Sequence, residues 1–204
     1  GVNVVNSGAP GNAPVVRIRG LGTPNNNTPL YVIDGIISSG MGNLNPNDIK
    51  SIQVLKDAAT TAVYGSKGSN GVILITTKSG NASEKATLTF DTYTGVNFID
   101  ARYDILNTDQ YIQYASEIGP TPERISNPEY ADMIANNTNW QDALFRNGLM
   151  QNYNIGLSGG NKNSNYRFSG GYLGQEGAVV ETEYERFNFR ANSNFTFGNF
   201  KIGE

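Results

Sequence analysis

The chain has neither histidine nor cysteine. That removes the commonest general base, the thiolate nucleophile and the two main zinc donors. Carboxylates, guanidiniums, amides and hydroxyls remain. Gly156-Leu157-Ser158-Gly159-Gly160 satisfies G-x-S-x-G, but a serine nucleophile there needs a strand–turn–helix elbow and a base. Ser158 instead lies in an alternating, strand-like run, so the match is formal. Gly65-Ser66-Lys67-Gly68-Ser69 suggests a phosphate loop without meeting G-x-x-x-x-G-K-[ST], and it reads better as a turn. Glu176, Glu181, Glu183 and Glu185 gather carboxylates of the kind a hard cation takes, yet no EF-hand spacing frames them, so a solvated rim is expected. In residues 15–20 Arg17 and Arg19 alternate with Val16 and Ile18. Two guanidiniums on one strand face must meet carboxylates or water. Taken alone they read as an ordinary exposed edge. No catalytic residue, cofactor or metal ligand emerges, and an enzyme is the least supported class.

The elements that position these groups follow from periodicity. Strands are expected at 15–19, 30–33, 52–55 and 72–77. Asp34-Gly35, between two β-rich runs, marks a tight hairpin because both residues tolerate positive φ. Asn45, Pro46 and Asp48 make a helix entry, with a cap, a first-turn proline and an acid on the positive end of the dipole. Asp57 can cap a helix over 58–64 that Gly65 stops. Val72 to Ile75 is an unbroken apolar run suited to a central strand. The expected core is Ile18, Val32, Ile33, Ile52, Val54, Val72 and Ile73.

Beyond a short polar linker at 81–86 the texture changes. Residues 87–98, 151–160, 165–174 and 184–197 are long alternating runs. Each is about the 9–11 residues of a tilted membrane-crossing strand, with one apolar and one polar face. Their connections alternate between tight turns, at 161–164 and 198–199, and long excursions, as the two rims of a barrel do. The excursion 99–150 carries helical patterns (Thr108 capping 109–118, then 129–137 and 140–145) and is expected to be a folded surface loop. The net charge of −3 argues against nucleic acid. No apolar run approaches the roughly 20 residues of a membrane helix, which says nothing about a strand-built wall.

The blocks RIRG, PLYVIDG and NPNDIKSIQVLKDAATTAVYGSKGSNGVILITTKSG, in this order and spacing, resemble the plug domain of SusC/RagA-type TonB-dependent outer-membrane transporters. The resemblance is close over residues 1–80 and looser from Thr87 onward. It implies an α+β plug domain (1–80) followed by antiparallel β-strands of an incomplete transmembrane β-barrel (87–204), in the outer membrane of a Gram-negative bacterium and in contact with its lipid. It further implies energised import of nutrient oligomers, with the plug gating the barrel. The implied partners are TonB (acting through an upstream segment), a SusD-type surface lipoprotein, and an oligosaccharide or peptide substrate. On this resemblance Arg17 and Arg19 would fasten plug to wall acids, and the loop amides of Asn25, Asn26 and Asn27 would contact substrate. Too few strands are present to close a barrel, so a longer native chain is expected. The rival reading is a surface or secreted β-rich adhesion module without transport.

Overall fold

The computed structural model describes residues 1–18, 27–42, 44–81, 85–100, 102–119 and 127–204. Two short strands, β1 (Asn3–Val5) and β2 (Val15–Arg17), pair antiparallel and lead into a four-stranded mixed sheet. That sheet contains β3 (Leu30–Ile33), β4 (Ile36–Ser38), β5 (Ile49–Leu55) and β6 (Val72–Thr77) in the order β4-β3-β6-β5. β3 and β4 meet at Asp34 and Gly35, both at positive φ (48° and 86°). Such a two-residue turn matches the twist of the flanking strands. β3 runs parallel to β6, and β5 is antiparallel to it.

The apolar run is therefore central, and Val72 and Ile75 are completely buried. One face gathers Ile18, Tyr31, Ile73 and Ile75, with Val16, Ile33, Met41, Leu44 and Ile49 against them. Val32 is buried as well. Each fully buried valine or isoleucine contributes about 1.5–3 kcal/mol. Two expected core residues depart from this pattern. Ile52 and Val54 lie on the edge strand β5 and are 52% and 38% exposed, because among the described residues no strand of this sheet pairs beyond β5.

The connection from β5 to β6 holds α1 (Ala58–Thr61) and a 3-10 stretch, Ala62–Gly68, where one helix over 58–64 was expected. The hydroxyls of Thr60 and Thr61 bond back to the Asp57 carbonyl at 2.9 and 3.2 Å. Such back-bonding competes with regular helix, and Gly65, at φ 59°, departs from helical geometry altogether. Asn45 caps the 3-10 turn Pro46–Asp48 as expected, accepting from the Asn47 amide at 3.0 Å.

The second sheet contains β7 (Thr87–Asn97), β8 (Gly148–Asn161), β9 (Ser164–Glu176), β10 (Glu183–Phe197) and β11 (Phe200–Gly203), all antiparallel and in sequence order. Its register sets Phe90 opposite Ile155, Leu157 opposite Phe168, and Tyr153 and Phe187 both opposite Tyr172. These side chains share one face, and most are well exposed. The opposite face carries Asn152, Asn154, Arg167, Ser169, Asn188 and Arg190, and Asn152, Asn154 and Ser169 are buried. The five strands do not close. β8–β9 and β10–β11 join by two residues, whereas 98–147 and 177–182 form long connections on the other rim.

The first long connection contains α2 (Thr108–Ile118), α3 (Ala131–Ala135) and α4 (Trp140–Leu144). The cap of α2 is Asn107, one residue before the expected Thr108. It forms a reciprocal capping box with Gln110, which satisfies two backbone donors where a threonine cap would satisfy one.

The two-faced sheet gives a direct expectation. In membrane-inserted protein, spin labels replacing Tyr153, Ile155, Leu157, Phe187 and Phe189 report lipid, and labels at Asn152, Arg167 and Arg190 report a polar setting. The opposite pattern would overturn the assignment of faces.

Candidate functional site

The polar face of the second sheet is buried because the first sheet packs on it, and the contact is built from charges and amides. Asp34 is its most connected group. Where β3 leaves the ladder, its carboxylate accepts from the Thr77 backbone N–H at 2.8 Å and from the Thr77 hydroxyl at 2.7 Å. From across the interface Arg190 Nη2 donates to Asp34 Oδ2 at 2.6 Å and to the Thr77 hydroxyl at 3.0 Å. The turn thus presents an acid to the wall.

A second acid lies deeper. Asp48, 2% exposed, meets Arg167 Nη2 at 3.4 Å. Beside it the Asn45 side-chain amide donates to Asn154 Oδ1 and, at 3.5 Å, to Asn188. Lower down Asn192 donates to the Lys78 carbonyl at 3.2 Å. The Nε atoms of Arg167 and Arg190 are buried without a partner, so the interface is polar but incompletely satisfied. Burial pushes the Tyr31 phenol above its ordinary value.

Two glycines show how closely the sheets approach. A Cβ on Gly171 would lie 2.5 Å from Asn154 Oδ1 and 2.6 Å from Asn45 Nδ2. A Cβ on Gly80 would run into the backbone of Tyr166.

The other candidates are distributed differently. Arg17 sits in β2 opposite Asn3 and joins none of the ion pairs among the described residues. Arg19, Asn25 and Asn26 fall outside the described residues. Asn27 is half-buried and does make contacts of its own. The four glutamates do not converge. Glu176 accepts from the Leu149 amide, Glu185 accepts from the Tyr172 hydroxyl on the apolar face, and no metal-competent cluster exists among the described residues. Ser158 lies inside β8, with no elbow for a nucleophile. Asp48, Arg167 and Arg190 were visible in the sequence only as a helix-entry acid and two alternating polar positions. Their partners are 119 and 156 residues away. Acids at plug turns facing arginines on the polar face of the wall strands were the available signal.

A mixed sheet fastened by polar contacts to the polar face of an amphipathic antiparallel sheet is the arrangement of a plugged β-barrel. Comparison with known proteins gives the family. Residues 1–72 match the TonB-dependent Receptor Plug Domain. The chain is 37% identical to TonB-dependent receptor SusC of Bacteroides thetaiotaomicron over 94% of its length, covering 20% of that protein. It is 38% identical to a TonB-dependent receptor of Formosa agariphila over 97% of its length, covering 19% of that one. Among solved structures, the RagAB peptide importer in its open-open state superposes on the whole chain with a TM-score of 0.83 at 27% identity, with 26% of that chain covered. Along its length the chain is similar to SusC/RagA-type TonB-dependent receptors, with their plug domain at its start, and it spans about a fifth of the length of the curated relatives it matches.

The Asp48–Arg167 pair allows a quantitative check. Asp48→Asn and Arg167→Gln each destabilise packing of plug on wall, while the double variant costs less than the sum, with a coupling of about 0.5–3 kcal/mol in a urea-unfolding double-mutant cycle. Strict additivity would mean that the two charges do not interact.

Proposed function

We propose that this chain supplies the plug (1–80) and first wall strands (87–204) of an outer-membrane importer, and that energised, TonB-dependent movement of the plug opens a path for nutrient oligomers. The supporting observation is the charged fastening Asp34–Arg190 and Asp48–Arg167. The hydrophobic sheet around Val72 and Ile75 keeps the plug in one piece, since yielding there would expose all its apolar core. The interface with the wall is made of separable contacts. The partly exposed Asp34–Arg190 pair contributes only about 0–1 kcal/mol, so a modest pull releases it without unfolding the core.

The fastening has the opposite charge sense to the one expected of Arg17 and Arg19, because here the plug contributes the acids and the wall the arginines. Arg17 keeps its proposed role only toward wall strands beyond those of this chain, and the same role is proposed for Arg19, which lies outside the described residues. Asn25, Asn26 and Asn27 are the amides proposed to meet substrate. The substrate is an oligosaccharide or a peptide, delivered with a SusD-type lipoprotein, and TonB acts through an upstream segment.

In the full-length protein, Asp34→Asn with Asp48→Asn should raise the passive leak of reconstituted vesicles and change TonB-dependent uptake, while the charge-reversed set Asp34→Arg with Arg190→Asp recovers part of the seal. A double variant that seals and transports like wild type would sink the fastening as a gating element.

A further inference from the structure

The polar face of the wall carries a third inward arginine, which the plug does not match with an acid. Arg186 lies on β10, four residues before Arg190 and on the same face, toward the rim of long connections. Its Nε is buried without a hydrogen-bond partner, and it takes part in none of the ion pairs among the described residues. It lines a cavity of about 500 Å³ between the plug's N-terminal segment and the ends of β9 and β10. Tyr184 and Gln175, opposite each other across the ladder, share the cavity wall with Tyr31, Asn6 and Asn12.

Arg186 is half-buried with its Nε sealed from water and no acid beside it, whereas the wall's other two inward arginines with described partners, Arg167 and Arg190, both have acids. Among the described residues lining this cavity Arg186 is the only charged one, so none of them neutralises it and none repels an anion. A single planar fork among neutral amides and phenols suits a monoanion held by paired N–H donors. A doubly charged phosphate would call for a second basic group.

We propose that this cavity is a ligand subsite in which Arg186 takes a carboxylate of the imported oligomer, with Gln175 and Tyr184 supplying neutral hydrogen bonds around it. The proposal rests on the import reading given above. A carboxylate reaches the site either from an acidic sugar or from a peptide C-terminus, and the shared chemistry is the carboxylate.

The test uses the full-length protein in detergent micelles and isothermal titration with two matched pairs of probes. One is a galacturonate trimer and its methyl ester; the other is a pentapeptide acid and its amide. The acid form of one pair should bind about tenfold more tightly than its neutral form, and the pair that discriminates names the source. Arg186→Gln should abolish the preference and Arg186→Lys should retain part of it, both at unchanged melting temperature. If the glutamine variant does not fold, the unaltered protein still decides. Bound acid, but not its neutral counterpart, should shield Arg186 from dicarbonyl modification read by peptide mass spectrometry. Equal binding of acid and neutral forms in both pairs, an undiminished preference in a folded Arg186→Gln protein, or absence of shielding overturns the subsite. Binding in micelles needs no energy source, so a protein that prefers the acid but shows no energised uptake would refute import and leave the subsite standing.

Discussion

One carboxylate holds two sheets at once. Asp34 ends the parallel ladder of the plug by capturing the backbone and hydroxyl of Thr77, and the same group accepts the Arg190 guanidinium from the wall. The turn that fixes the fold of the plug is therefore also its mooring. The left-handed backbone at Asp34 and Gly35 brings the acid to the wall without a dedicated loop. A change to this hairpin alters the fold and the fastening together, because the two functions share atoms.

The two kinds of surface divide the mechanical labour. Burial of Val32, Val72 and Ile75 is apolar and almost complete, so partial opening gains nothing until much of it is exposed. The interface with the wall is a series of individual polar contacts, each weak after the competition of water is counted. An amide node at Asn45 lies against Gly171, where a Cβ would press on the side-chain ends of Asn45 and Asn154.

Much of the fold was legible in the sequence, and most of the site was not. The strands at Leu30–Ile33 and Val72–Thr77, the Asp34-Gly35 turn and the Asn45 cap follow from local rules, since turn chemistry and apolar runs act over a few residues. Ile52 and Val54 misled because alternation shows which face a residue takes, while exposure depends on whether another strand lies beyond, and β5 is an edge. Thr60 and Thr61 shortened α1 through hydroxyl bonds that a simple helix pattern does not weigh. The fastening pairs are non-local. Nothing within a few residues of Asp48 points to Arg167, and the unmatched state of Arg186 becomes visible only when the acids assigned to its neighbours are known.

The small ladder at the start of the chain determines how a load would be felt. Asn3 is paired with Arg17, and Val5 with Val15, so tension entering through the first residues and leaving toward Ile18 acts at the same open end of the β1–β2 pair. That is an unzipping direction, in which the rungs bear force one after another. A shearing direction would make them share it. The pair would peel in sequence at low force and lengthen the slack before the four-stranded sheet is strained at all. In this geometry β1 and β2 are the pair that yields first under such a load.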